Sequence, residues 1–141
     1  MTDHPDKIHL QVRYFPFPAH KNALKAAVYA ECASRQKGKF WKFHEEIFKH
    51  QSEWAMENYP ELKFVDYAEK SGLDLKALDV CAQDPQVAKT ITEEKKKAED
   101  LGVKITPSFF ANGKLSVGTN ALKDEINAFF SDKPAEPEKK A

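Results

Sequence analysis

Two cysteines, Cys32 and Cys81, are the only thiols in this 141-residue sequence. Thiols are the side chains best suited to disulfide chemistry, and a catalytic pair usually has only two residues between its sulfurs. Cys32 and Cys81 lie far apart in the sequence. They are therefore not a local redox pair, and they do not have the spacing of zinc ligands. The sequence therefore holds reactive residue types without the arrangement that dithiol catalysis needs.

A second candidate segment lies before a predicted hairpin. Residues 108–111 and 114–117 flank Asn112-Gly113, which is a strong signal for a two-residue type I′ turn. Pro107 stands at the start of the first strand, a position where proline is tolerated. On chain statistics alone, the peptide bond before Pro107 is expected to be trans.

The sequence gives little indication of any other kind of catalytic site or of a metal site. His20 is expected to cap or pack against the start of a helix, and His44 to be a structural residue. The histidines lack metal-ligand spacing, and the sequence shows no glycine-rich phosphate loop and no Ser-His-Asp arrangement. No metal and no cofactor are expected.

The elements that must position these residues follow from hydrophobic periodicity. Residues 8–15 alternate between apolar and polar types, which predicts a strand with one buried face. A helical block is predicted over 20–83, and a helix, hairpin and helix over 84–131, with Asp84-Pro85 opening the first of these helices. Within the block the predicted helices are 20–36, 39–51, 62–71 and 75–83.

Two further expectations concern the surface of the domain. The aromatic residues of the second helix are expected to lie in the core rather than to form a binding stripe; they are Phe40, Trp41, Phe43 and Phe48. Residues 132–141 consist of Pro, Glu, Lys and Ala after an aspartate, which predicts a disordered tail.

The composition limits the class of protein. Lysine plus arginine equals aspartate plus glutamate, so the net charge is zero, and 41% of residues are hydrophobic. This composition is typical of one globular domain and argues against a nucleic-acid or anionic-membrane surface driven by bulk charge. No segment has the 18 or more consecutive apolar residues that a membrane span needs. The polar N-terminus has no signal-peptide core.

Four blocks of the sequence resemble the DsbA-like family of thioredoxin-fold thiol–disulfide oxidoreductases. They occur in family order and extend from about residue 8 to residue 130. The blocks are VRYFPFPAH at 12–20, QKGKFWKFHEEIF at 36–48, GLDLKALDVC at 72–81 and VKITPSFFANG at 103–113. Ile105 departs from the family pattern, which usually has glycine there.

This resemblance implies an α/β thioredoxin-like fold with a helical insertion. Residues 1–131 would form a partial domain of this kind. Pro107 would be the family's cis-proline, and the backbone of Thr106 would bind the extended chain of a substrate. The family's redox pair, a Cys-x-x-Cys at the start of a helix, has no counterpart in these 141 residues, so no catalytic residue is predicted.

Three explanations of this absence stay open. The chain is a fragment, a mis-assigned start or a trimmed form of a full domain, with the N-terminal strand–helix unit missing. A second possibility is that another chain supplies the missing strand. A third is that the domain has rearranged and works without redox chemistry.

The resemblance also bears on the two cysteines. Free cysteine is commonly buried and acts as a small apolar residue, which is one interpretation of Cys32 and Cys81. Some DsbA-like proteins carry a second, non-catalytic disulfide in the helical block, and this is the other interpretation. Such a bond forms in an oxidising compartment.

Three functions compete on these grounds. The first is a thiol–disulfide oxidoreductase domain that is catalytically incomplete in these residues. The second is a redox-inactive module or chaperone that binds extended peptides. The third is a glutathione-using relative, which no residue of the sequence demands. Expected partners are unfolded or extended polypeptides and a membrane redox partner of the full-length protein, and the expected location is periplasmic or otherwise extracytoplasmic.

Overall fold

A computed structural model describes residues 7–131 of the chain. Within them the fold is mixed α/β, mostly helical with one small sheet. The elements are α1 Ala23–Ser34, α2 Phe40–Lys49, α3 Gln51–Trp54, α4 Glu61–Lys70, α5 Leu75–Ala82, α6 Pro85–Asp100, β1 Ser108–Ala111, β2 Lys114–Val117 and α7 Gly118–Ser131. The predicted tail at 132–141 lies outside the described residues.

The structure divides into two compact units, Met1–Ala98 and Glu99–Ala141. The first unit contains the hydrophobic core, which α1, α2, α4, α5 and α6 build together. Its largest fully buried side chains include Phe43, Phe64 and Tyr67. The second unit contains the β1–β2 hairpin with α7 packed against both strands.

Local signals in the sequence account for the end of α4 and for the starts of α5 and α6. Gly72 follows α4 with a φ of +73°, a conformation that glycine adopts without strain. The Asp74 carboxylate accepts a hydrogen bond from the Ala77 N–H at 3.0 Å and caps α5. The Asp84 carboxylate caps α6 by accepting from the Gln86 N–H at 2.9 Å. At these residues one helix ends and the next begins within a few positions, which produces a block of short helices.

The short helix α3 was not distinguished in the sequence, where the second predicted helix runs to residue 51. His50 ends α2 with φ −105° and ψ 23°, and the chain re-enters a helix directly after it. Trp54 closes this turn because its indole N–H donates to the Ile47 carbonyl at 2.8 Å. A local break without glycine or proline leaves little signal in the hydrophobic pattern.

The strand predicted at 8–15 does not form, and this prediction is corrected. The residues are assigned no strand, and the one sheet within residues 7–131 contains only β1 and β2. Alternation of apolar residues predicts which side of an extended segment is buried, but a strand also requires a neighbouring backbone to complete its ladder. No neighbouring strand is present for this segment among the described residues.

Side-chain contacts nevertheless fix this segment to the helices of the first unit. Tyr14 packs against the hydrophobic core, where burial, reinforced by Glu31 and Glu94, raises the pKa of its phenol. Arg13 Nη1 lies 3.0 Å from Glu94 Oε1. The Lys95 ammonium lies 5.0 Å from the centre of the Phe15 ring. Contacts to α1 and α6 therefore hold the segment in place without a sheet.

Candidate functional site

The β1–β2 hairpin positions the candidate peptide-binding loop. Ser108 pairs with Val117, and Phe110 with Leu115, in an antiparallel register. Asn112 and Gly113 connect the strands with positive φ angles of 49° and 85°, as the type I′ signal predicts. Since directly opposed residues share a face, Phe110 and Val117 lie on the same side of the hairpin.

The loop that enters β1 carries Thr106 and Pro107, both exposed. The peptide bond between them is cis, the geometry that the resemblance implies. Two hydrogen bonds hold the loop: the Ser108 hydroxyl donates to the Ile105 carbonyl at 2.5 Å, and the Gly118 N–H donates to the Pro107 carbonyl at 2.8 Å. Within residues 7–131, no hydrogen bond engages the backbone N–H or C=O of Thr106.

The same loop and hairpin carry exposed apolar side chains. Ile105 is 55% exposed, Phe110 47% and Val117 51%. None of these three residues is predicted as a site residue from the sequence. A signal for them exists in the sequence, because apolar residues on the solvent-facing side of a short hairpin cannot be buried in a core and indicate a binding surface. An exposed backbone donor and acceptor with apolar neighbours can bind an extended peptide by strand addition.

Cys32 and Cys81 form a disulfide, with an S–S distance of 2.05 Å and a Cα–Cα distance of 5.8 Å. The bond joins α1 to α5. Cys32 is 1% exposed, whereas Cys81 is only partly buried. Of the two interpretations left open by the sequence, the structure contains the disulfide. No cysteine in the described residues is free.

The aromatic residues of α2 are divided between core and surface. Phe43 is completely buried, but Trp41 is 52% exposed and Phe48 61% exposed. The expectation that all four aromatic residues lie in the core is therefore wrong for Trp41 and Phe48. These two side chains and His44 form a row of ring contacts on the outer face, with the His44 and Phe48 rings 4.7 Å apart.

Three of the described histidines, His20, His44 and His50, have structural contacts. Burial lowers the pKa of His44. His50 Nδ1 lies 2.6 Å from Glu53 Oε1, and its ring stacks on Tyr67 with a centroid distance of 5.3 Å. His20 is exposed and contacts the Phe17 ring at 5.6 Å. Among residues 7–131, no group of three His, Cys, Asp or Glu side chains could hold a metal ion.

The helical block of the first unit and the hairpin followed by a helix of the second unit are the elements of a thioredoxin-like α/β fold. A family model described as Thioredoxin matches residues 3–130. The chain is therefore a member of this thioredoxin family.

A solved structure supports the same fold. The chain is similar to a thioredoxin-like oxidoreductase from Silicibacter pomeroyi, with a TM-score of 0.63 and 26% sequence identity. The match covers 86% of this chain and 68% of that protein. The fold of this chain is therefore thioredoxin-like.

Curated relatives add a different context. The chain is 34% identical over 106 residues to a Na⁺/H⁺ antiporter, NhaA 1, of Mycolicibacterium vanbaalenii. It is 31% identical over 130 residues to the antiporter NhaA 3 of Salinispora tropica. These matches cover 72% and 89% of this chain but only 16% and 19% of the antiporters. No helix within residues 7–131 is long and apolar enough to cross a membrane.

Proposed function

We propose that this domain is a DsbA-type thiol–disulfide oxidoreductase domain that contributes the substrate-binding loop, while the Cys-x-x-Cys pair comes from outside the 141 residues. Membership of the thioredoxin family over 3–130 supports the oxidoreductase class. The observation that carries the proposal is the Thr106 backbone, which is exposed and has no hydrogen-bond partner within residues 7–131.

The chemistry of the proposed site follows from this open backbone. An extended polypeptide carries N–H and C=O groups that can pair with those of Thr106, as in the addition of a strand to a sheet edge. Ile105, Phe110 and Val117 supply exposed apolar surface on the same loop and hairpin. Such a site selects extended chains with apolar side chains and places little demand on their sequence. Unfolded or partly folded proteins in an extracytoplasmic compartment are the proposed substrates.

The redox step needs a second component. Thiol–disulfide exchange requires an accessible thiolate and a resolving thiol, and both cysteines of this chain are bonded to each other, 49 positions apart. The family's Cys-x-x-Cys would have to be supplied by a segment or a partner that approaches Thr106. The domain would then hold the substrate while the pair exchanges with it.

A redox-inactive peptide-binding module is the alternative. The same observation favours it, because strand addition at Thr106 needs no cysteine. Under this alternative the 141 residues alone bind unfolded polypeptide and do not catalyse exchange.

The similarity to parts of Na⁺/H⁺ antiporters also makes a membrane transporter a proposed partner of the domain, in place of a soluble substrate.

The natural protein, isolated from its own cells, distinguishes the two functions. Its intact mass and N-terminal sequence show whether a Cys-x-x-Cys segment accompanies these residues, and insulin reduction and refolding of reduced ribonuclease measure catalysis. We expect an accompanying pair and catalysis. A natural product limited to these residues, without catalysis but with affinity for unfolded polypeptide, would establish the alternative.

Variants of the loop test the binding site in either case. We expect Phe110→Ser and Ile105→Ser each to weaken binding of an unfolded, permanently reduced polypeptide, because both remove exposed apolar surface beside Thr106. Leu62→Ser, on the first unit, is the matched control because Leu62 is also exposed. Equal binding by all three variants and the unaltered chain contradicts the proposed site.

A further inference from the structure

The disulfide between Cys32 and Cys81 is accessible from only one side. Cys32 lies on the core face of α1 among buried residues, whereas Cys81 is partly exposed near the end of α5. A thiolate that attacks a disulfide must reach one of its two sulfurs, and access decides which sulfur is attacked. Attack is therefore directed to Cys81.

An open depression of about 750 Å³ lies over this end of the bond. Its volume is in the range of small-molecule sites. Cys81 lines it together with two cationic side chains, Arg35 and Lys76, and two carboxylates, Asp74 and Asp84. Val80, which is largely exposed, adds apolar surface to the same wall. The depression thus presents both signs of charge next to a disulfide.

The four charged groups are engaged to different degrees. The Lys76 ammonium has no ion-pair or hydrogen-bond partner among the residues that the structure describes. Arg35 Nε lies 3.3 Å from Glu31 Oε1, which leaves the other guanidinium N–H groups available. Asp74 and Asp84 each use one oxygen to cap a helix. Each carboxylate keeps a second oxygen that can accept hydrogen bonds from an ammonium group.

We propose that this depression is a site for low-molecular-weight thiols that carry both an ammonium and a carboxylate, and that such thiols exchange with the disulfide at Cys81. Lys76 and Arg35 suit the carboxylate of the thiol, and the free oxygens of Asp74 and Asp84 suit its ammonium. The proposal concerns the first unit alone and does not depend on the peptide-binding loop.

The exchange balances with two equivalents of thiol. The thiolate attacks Cys81 Sγ, the Sγ–Sγ bond breaks, and the sulfur of Cys32 leaves as a thiolate that takes a proton from solvent. The product is a mixed disulfide on Cys81. A second thiolate then attacks the small-molecule sulfur, which releases the small-molecule disulfide and leaves both cysteines reduced. The thiol is oxidised and the protein is reduced.

Exchange does not require α5 to leave the domain. The Gln36 side chain holds Asp74 at both backbone groups, accepting from its N–H at 2.7 Å and donating to its carbonyl at 3.1 Å. Leu78 of α5 is buried in the core. These contacts retain α5 when the covalent bond opens, so a thiol can react with the folded protein.

The test compares four thiols on the oxidised, folded chain at equal thiolate concentration. Cysteine carries both charges, N-acetylcysteine only the carboxylate, cysteamine only the ammonium, and 2-mercaptoethanol neither. Reactions are stopped with acid, and the modified peptides are located by mass spectrometry. We expect the adduct on Cys81, and cysteine to react about two- to fivefold faster than the other three thiols, as for one or two exposed ion pairs.

Charge variants give a second measurement. Lys76→Gln should slow the two thiols that carry a carboxylate and leave cysteamine unchanged. Asp84→Asn keeps a good helix cap and should slow the two thiols that carry an ammonium. Lys89→Gln, an exposed residue of α6, is the matched control. Adducts shared equally with Cys32, equal rates for all four thiols, or reaction only in denaturant each overturn the proposal and leave the bond a purely structural one.

Discussion

Glu53 is the centre of a polar cluster that connects the α2–α3 junction to α4. His50 Nδ1 lies 2.6 Å from one carboxylate oxygen, and the Tyr67 hydroxyl donates to the other at 3.0 Å. The Lys63 ammonium lies 3.8 Å from Glu53 Oε2. The hydrogen bond with His50, followed by that from Tyr67, lowers the pKa of Glu53. Burial and the bond to Glu53 raise the pKa of Tyr67 to about 12.

This depressed pKa predicts a pH-dependent stability. A carboxylate with a folded-state pKa below its unfolded value stabilises the fold above the unfolded pKa, here 4.5, and the effect is lost as the pH falls through the folded pKa. We expect Glu53→Gln to lower the melting temperature at pH 7, with a difference that shrinks below about pH 4. Circular dichroism melts at several pH values measure this.

Glu45→Gln is the control for that measurement, because Glu45 is exposed on α2 and is not part of the cluster. It should change the melting temperature little at any pH. A Glu53→Gln effect that is constant from pH 3 to pH 7 contradicts the assigned role of the charge.

Two phenylalanines of α2 allow a matched comparison of core and surface. Phe43 is completely buried, and Phe48 is 61% exposed. We expect Phe43→Ala to reduce the free energy of unfolding by about 3–5 kcal/mol, and Phe48→Ala to change it by no more than about 1 kcal/mol. Urea unfolding measures both values. Comparable losses would show that Phe48 has a role in packing that its exposure does not indicate.

For single residues, the sequence predicts helix caps and turns better than it predicts which side chains are buried. The glycine after α4, Gly72, the turn at Asn112-Gly113 and the cap at Asp84 follow from local chemistry, and the structure contains each of them. The exposure of Trp41 and Phe48 does not, since an aromatic stripe at helical spacing is the usual mark of a core face. Which of two adjacent apolar faces meets the core depends on the neighbouring helices.

Among the elements, α1 and α5 are joined covalently. The disulfide closes a loop of 49 positions, which stabilises the folded state by about 4 kcal/mol in the chain-entropy model. We expect the double variant Cys32→Ala, Cys81→Ala to lose about 2–4 kcal/mol of unfolding free energy while keeping its helical content. Urea unfolding followed by far-UV circular dichroism measures both properties.

The reduced form of the unaltered chain provides the control for that variant. Dithiothreitol should shift the urea midpoint of the unaltered chain toward that of the double variant, and should not shift the variant. A variant that is as stable as the oxidised chain would show that the cross-link adds no stability.

Element order was largely readable from the sequence, with one informative exception. Helix periodicity is a property of a single segment, so the ranges of α1, α2, α4, α5 and α6 follow the predictions closely. The segment at 8–15 has the alternation of a strand but no ladder partner in residues 7–131. A strand is a property of two segments, and one segment cannot specify its partner's presence.

The whole molecule consists of two units with unequal cores. All buried members of the core cluster fall between Ala26 and Ile91, within the first unit. We expect a fragment of residues 1–98 to fold alone, because it retains this cluster and the disulfide. Cooperative thermal unfolding, a helical far-UV spectrum and the absence of free thiols under native conditions are the measurements.

A fragment of residues 99–141 is the companion. It holds one hairpin and the helix α7, which has no buried residue, so we expect no cooperative transition of its own. Failure of the 1–98 fragment to unfold cooperatively would show that its core depends on the remaining residues. The resemblance of four sequence blocks was enough to indicate the fold class, but periodicity within single elements carried no information on this division.

The segment before α1 has a consequence for association. Its Tyr14, Arg13 and Phe15 side chains already contact the core, Glu94 and Lys95, so part of the conformational entropy of this segment is lost before any neighbour arrives. An incoming strand would therefore lose conformational entropy on one side of the new ladder only. Pairing along residues 8–15 would therefore cost less conformational entropy than pairing between two free chains, whatever the origin of the incoming strand.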